Sequence, residues 1–137
     1  MPKNDHQENL NLFANNYQLD LYLNIIVKTS MNLGYFTFPV HPKTKSLDSA
    51  FKEDTEAVLL IDKLGYDEAF FGEHMTDEYE RITSSLLFIS SLIHKTKKIR
   101  LGTGTLNLPH HNPAQIASDV SMIDHISKGR LIMGIGP

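Results

Sequence analysis

Runs of strand-forming residues begin near positions 33, 68, 99 and 130, about 35, 31 and 31 residues apart, and a helical pattern follows each of the first three. That interval is the size of one βα unit. The first run, Leu33–Phe38, is aromatic and stops at Pro39. The second is Glu68–Gly72, the third Ile99–Leu106 and the fourth Arg130–Ile135. Between the first two, Asp48 or Ser49 is the expected N-cap of a helix whose apolar face is Phe51, Thr55, Val58, Leu59 and Ile61–Leu64, closed by Gly65. Thr83–Ser85 can cap a second helix, with Leu86, Ile89 and Ile93 on one face and a basic last turn of His94, Lys95, Lys97 and Lys98. Asn112-Pro113 opens a third, a cap followed by Pro at the first helical position, with Ile116, Val120 and Ile123 on its apolar face and Gly129 at its end. No Asn-Gly hairpin turn joins the strands. Strands that alternate with helices over short connections form a parallel sheet, either open and doubly wound or part of a (β/α)8 barrel.

Length sharpens that choice. The chain has 137 residues, and a complete (β/α)8 barrel takes about 250. The periodic region, 31–137, therefore reads as about four of eight units. Residues 1–30 contain six asparagines and no clean period, and are expected to be an N-terminal extension, poorly ordered or a short helix. Their best apolar run, Leu19–Val27, is interrupted by Asp20 and Asn24 and is too short to span a membrane. No secretory signal is recognisable, and the chain has no cysteine, so a cytoplasmic location is expected. A net charge of −3 without a basic stripe argues against nucleic acid as a partner.

The polar residues gather after the strand ends. His41 follows the first strand, Glu73-His74 the second, and Asn107, His110 and His111 the third. In parallel αβ folds these C-terminal edges are where sites are built. An imidazole there suits acid–base work because its ordinary pKa is about 6.5. His74 is the strongest candidate, since it directly follows a buried strand and an acidic neighbour. Glu73, His74, His110 and His111 also include metal-ligand types, but adjacent histidines point apart and no H-E-x-x-H occurs. Gly102-Thr103-Gly104 lies inside a strand and Gly134-Ile135-Gly136 precedes only Pro137, so neither makes a dinucleotide fingerprint. Glycines in such places mark a bend or a close approach by a ligand or another backbone.

Phe71-Gly72-Glu73-His74, then Ile99 to Gly104 continuing through Leu108-Pro109-His110-His111-Asn112-Pro113, then Asp124-His125-Ile126-Ser127-Lys128-Gly129-Arg130 resemble the bacterial-luciferase-like flavin monooxygenases. Gly34 to Pro39 with His41-Pro42 is most similar to the limonene-monooxygenase-like branch. The resemblance covers 31–137 and implies the N-terminal half of a (β/α)8 TIM barrel with parallel strands. It further implies a flavin-dependent monooxygenase that uses reduced FMN and O2 on a small hydrophobic organic substrate, with a flavin reductase as possible partner. Coenzyme F420 and hydride transfer are the alternative cofactor and chemistry. By this resemblance His74 is the catalytic acid or base, and Glu73, Gly104, Thr105 and Asn107 border the flavin. Gly104-Thr105 falls where the family has a non-proline cis peptide. Met75 and Pro137 depart from it, standing where luciferases have a second histidine and a phosphate-contacting arginine. Half a barrel would expose two parallel edges and an apolar interior, so self-association as a homo-oligomer is expected. A non-catalytic fragment or oligomerisation partner is the competing reading.

Overall fold

The computed structural model describes residues 31–137, so the expected extension 1–30 lies outside the described residues. The elements are β1 (Gly34–Thr37), α1 (Leu47–Leu64), β2 (Glu68–Phe71), α2 (Ser85–Leu92), β3 (Arg100–Thr103), β4 (Leu106–Asn107), a 3-10 turn (Leu108–His110), α3 (Pro113–Ser127), β5 (Leu131–Ile132) and β6 (Ile135–Gly136). One sheet has the order β1-β2-β3-β5 with every pair parallel, and β4 pairs with β6, also in parallel. Four sequential parallel strands with helices between them are the partial barrel the period predicts.

Register explains the two faces. Phe36, Phe70 and Gly102 are aligned partners, as are Tyr35, Ala69 and Leu101. Side chains alternate along a strand, so the two rows point to opposite faces. Ala69, Phe71, Leu101 and Thr103 are buried in the row that packs with Val58, Ile61, Phe88, Ile89 and Leu92 of the helices and with Ile116 and Ile123. Burying one such Phe or Leu contributes about 1.5–3 kcal/mol. The other row carries Phe36, which is 55% exposed, beside Phe70 and a column of glycines. A Cβ on Gly72 would come within 2.0 Å of the Phe38 ring, one on Gly102 within 2.4 Å of Phe70, and one on Gly104 within 2.8 Å of Phe36. The rings lie over the glycines and make an aromatic floor.

Several local expectations change. Ser46, not Asp48 or Ser49, caps α1: its backbone is extended and its Oγ accepts from Ser49 N–H, while Asp48 sits in the first turn, where it meets the positive end of the helix dipole. Gly65 ends α1 in the left-handed region at φ 85°. The second helix is shorter than its pattern suggests. Ser84 caps it, and it stops at Leu92, which leaves His94, Lys95, Lys97 and Lys98 beyond its last turn. Asn112 caps α3 through Ala114 and Gln115 N–H with Pro113 first in the helix, and Lys128 and Gly129 take the left-handed conformation at its end. The third strand is split after Thr103, and the peptide Gly104–Thr105 is cis. The fourth is split at Met133-Gly134 because the Thr103 hydroxyl takes over the ladder there. It donates to Gly134 carbonyl at 2.7 Å and accepts from Gly134 N–H at 2.9 Å. A Cβ on Gly134 would lie 2.3 Å from the Thr103 carbonyl oxygen, so only glycine fits.

Candidate active site

At the C-terminal edge of the sheet, a cavity of about 430 Å³ is lined by Phe36, Phe38, Glu73, His74, Gly104, Thr105 and Asn107. Residues 73, 74, 104, 105 and 107, singled out in the sequence, thus come together, joined by the aromatic floor from the first strand. The backbone ladder sets their spacing. Gly72 N–H donates to Thr37 carbonyl and Gly104 N–H to Phe71 carbonyl, which carries the strand register one step past the sheet.

Glu73 is buried, and its carboxylate is only 1% exposed. Oε2 accepts from Ser85 N–H at 3.0 Å and from Ser85 Oγ–H at 2.9 Å, so this acid holds the first turn of α2. Oε1 takes a long bond from Asn107 N–H at 3.5 Å, and the Asn107 amide donates back to the Glu73 carbonyl at 3.4 Å. The acid therefore braces the wall on which Asn107 is mounted. A residue that the sequence suggests as a cofactor contact directs its charge into the protein.

His74 has the opposite character. Its side chain is 47% exposed, its ring centroid lies 5.6 Å from that of Phe38, and its Nδ1 pairs with the Glu80 carboxylate. Glu80 was not singled out by sequence. It sits in a turn organised by Asp77, whose Oδ1 accepts from Tyr79 N–H at 2.7 Å and from Glu80 N–H at 3.1 Å. Those two donors hold the Asp77 carboxyl below the usual carboxylate range. A bridge between Val40 and Glu80, and a bond from His41 N–H to Tyr79 carbonyl at 2.9 Å, tie this turn to the loop after β1.

The other edge histidines divide. His41 is buried rather than solvated, with Nε2 2.9 Å from Asp54 Oδ1 and Nδ1 3.3 Å from Lys45 Nζ. Burial pushes the Asp54 carboxyl up, against the opposing pull of His41. His110 is exposed in the 3-10 turn, and His111 lies behind the wall with Nε2 3.7 Å from Glu73 Oε1. None of the three lines the cavity. Among the described residues no three His, Asp or Glu side chains gather as metal ligands would, and no helix is long and apolar enough to cross a membrane.

Comparison with known proteins gives this edge its context. The family profile described as luciferase-like monooxygenase matches residues 31–137, most of the chain. The chain belongs to the luciferase-like monooxygenase family. It is 36% identical over 106 residues to 4-hydroxyprotoasukamycin monooxygenase of Streptomyces nodosus subsp. asukaensis, covering 77% of this chain and 29% of that one. Limonene 1,2-monooxygenase of Rhodococcus erythropolis is 35% identical over 107 residues, covering 78% and 28%. Among solved structures, the oxygenating constituent of 3,6-diketocamphane monooxygenase from Pseudomonas putida, in complex with FMN, superposes with a TM-score of 0.75 at 27% identity, covering 78% of this chain and 29% of that chain. The chain spans less than a third of the length of these relatives.

Proposed function

We propose that this luciferase-like chain forms the N-terminal part of a flavin-dependent monooxygenase site, which uses reduced FMN and O2 to oxidise a small hydrophobic organic substrate. The observation that carries this is the single cavity in which His74, Glu73, Gly104, Thr105 and Asn107 meet over an aromatic floor. A flat, largely apolar ring system with polar edges suits such a surface. The glycine column keeps the floor low, and Phe36 and Phe38, packed edge to face at 4.9 Å, bound it. No lysine or arginine lines the cavity, so these residues fit the ring of the cofactor and not its phosphate.

Reduced FMN, when bound, supplies the electrons that activate O2. The chain's own residues bind, orient and move protons. In this reading the backbone at Gly104 and Thr105 approaches the ring, and the Asn107 amide offers a hydrogen bond at its edge. Glu73 contributes by holding Asn107 rather than through its own oxygens. His74 stands at the rim as the acid or base for a substrate lying against the ring. The exposed aromatic floor favours an apolar substrate, and limonene and 2,5-diketocamphane, named for relatives of this chain, are suitable first probes. A reductase partner supplies reduced flavin, in keeping with a relative named as an oxygenase component.

Anaerobic titration of the chain with reduced FMN, followed by admission of O2 in the presence of limonene, tests the reading. Saturable FMN binding and an oxygenated product are expected. Absence of FMN binding, or binding of F420 in its place, would overturn it. His74→Ala should lower turnover by about 10²-fold or more, the range for a lost general acid or base. His110→Ala should leave it within about twofold, because an exposed residue outside the cavity touches nothing that reacts. Equal effects of the two substitutions would remove His74 from its role.

A further inference from the structure

The imidazole of His74 has two nitrogens, and the structure distinguishes them. Nδ1 lies against the carboxylate of Glu80, whose side chain is 16% exposed and whose buried Oε2 has no hydrogen bond of its own among the described residues. An ionised carboxylate only accepts hydrogen bonds. A proton on Nδ1 would give that oxygen the donor it lacks, and in a neutral ring Nε2 is then the bare acceptor. We propose that Glu80 is the positioning residue of His74: it fixes Nδ1 as donor, so that Nε2 meets the cavity as a proton acceptor and His74 acts as a base.

The surroundings support the assignment. Glu80 is held where it is by backbone alone, through the Asp77 turn and the Val40 bridge, so its side chain is free for the one contact. The remaining groups near the His74 ring are Phe38 from the loop after β1, which has no proton to exchange, and Asp77, already committed to two backbone N–H groups. Across the cavity is Asn107, engaged with the Glu73 carbonyl. Lys43, the nearby cation of the β1 loop, pairs with Glu78 and lies over the Tyr79 ring. Among the described residues no other charged group pairs with Nδ1. When Nε2 takes a proton from a donor in the cavity, the ring becomes an imidazolium cation facing the Glu80 carboxylate, and the charge formed is balanced at once.

The consequence for turnover rests on the flavin-site reading, whereas the tautomer does not, and the two are separable. Long-range proton–nitrogen spectra of the full chain labelled at histidine nitrogen, recorded at about pH 8 where an ordinary imidazole is neutral, report which nitrogen of His74 is protonated. The Nδ1–H form should predominate. Glu80→Ala should abolish that preference. Glu80→Gln, which keeps the side-chain volume, should yield a mixture, because an amide donates as readily as it accepts. Both keep the backbone bridge. An Nε2–H tautomer in the unaltered chain, or spectra unmoved by both variants, would overturn the proposal. In the turnover assay Glu80→Ala should lower kcat about tenfold or more while KM and FMN affinity stay put; a matching loss of FMN affinity would instead mark Glu80 as a scaffold residue and sink the positioning role. Failure of the unaltered chain to bind FMN, with the Nδ1–H form present, would break the flavin reading and leave the pair standing.

Discussion

The two ends of the sheet use charge differently. At the N-terminal end Arg100 and Glu68 pair across the strand starts, but the two most heavily bonded charged groups bond mainly to backbone. Asp62, in the last turn of α1, accepts from Lys97, Lys98 and Ile99 N–H at 2.8, 3.0 and 2.9 Å. Arg130 donates to the carbonyls of Ile93, Ile99 and Ser127 and to the Thr96 hydroxyl at 2.7–3.1 Å. At the C-terminal end Glu73 and Asp77 also bond to backbone, but three charged side-chain pairs gather there: His74 with Glu80, His41 with Asp54, Lys43 with Glu78. A side chain bonded to backbone cannot change partner without moving the chain. One bonded to another side chain can titrate, rotate and meet a ligand. The base of the fold therefore secures the strands, and the mouth keeps its polar groups available. In barrels of this kind the bottom face serves stability and the top face serves chemistry.

The sharpest way to break that contrast is at Arg130. Arg130→Met keeps much of the apolar stem and strands several carbonyls at the junction of α2, β3 and α3. The expected loss is about 2–4 kcal/mol, the range for removing a multiply bonded charged donor from a partly buried site. Urea unfolding checks it. A loss below about 1 kcal/mol would mean that this end is no more rigidly secured than the mouth.

Two aspartates on α1 offer a finer test, since Asp54 meets the loop after β1 and Asp62 the segment before β3, and their carboxyls shift in opposite directions. At Asp62 burial opposes the charged form, but the three N–H donors outweigh it and hold the carboxyl below its ordinary range. Its contribution to stability is present above the unfolded value of about 3.9 and disappears as the pH falls through the folded value. At Asp54 burial dominates and the carboxyl is raised. Its contribution is present below about 3.9 and is lost as the pH rises through the folded value. Relative to the unaltered chain, Asp62→Asn should therefore become less stable as the pH rises from about 2 to 5, and Asp54→Asn more stable from about 3 to 6. After allowance for solvent screening each change is about 1 kcal/mol or less. Thermal melts across this range read the two slopes, and slopes of the same sign would contradict the assignment of opposite environments.

What the sequence made legible follows the same division. The βα period, the Asn112-Pro113 start and Gly65 are local signals, and Glu73, His74 and Asn107 follow strand ends, so topology brings them together, whereas Gly104 and Thr105, read as inside a strand, are marked only by the family resemblance. The partnerships are not local. His41 meets Asp54 because the β1–α1 loop folds back onto the helix, and nothing in His41-Pro42-Lys43 announces that. Glu80 lies six residues beyond His74, and only the Asp77 turn brings it back. Asp77 and Glu80 both follow the second strand, so an acid near His74 was the available signal, although the choice among Asp77, Glu78 and Glu80 was not. Ser46 became the cap because its extended backbone aims Oγ at Ser49 N–H, a matter of loop entry that the two expected candidates, Asp48 and Ser49, do not reveal. The third strand reads as continuous from 99 to 106, because no residue in it forbids a strand, yet the backbone turns at Gly104–Thr105.

The smallest expected effect concerns what the mouth lacks. Among the described residues its nearby cations are Lys43, Lys45 and Arg81. Lys43 and Lys45 are paired with Glu78 and Glu53, and Arg81 reaches Lys43 carbonyl at 3.5 Å. None of the three lines the cavity. If the cavity holds the flavin ring as proposed, a lining without a cation should not distinguish FMN from riboflavin. Their dissociation constants for this chain should agree within about threefold, less than about 0.7 kcal/mol, and added salt should change the ratio little. Fluorescence titration of both flavins at low and high salt measures it. FMN binding more than about tenfold tighter than riboflavin, with the advantage lost in salt, would show that one of these paired lysines leaves its carboxylate for the phosphate. The mouth would then be exchanging partners on binding, as side-chain pairs can and the backbone bonds of Asp62 and Arg130 cannot.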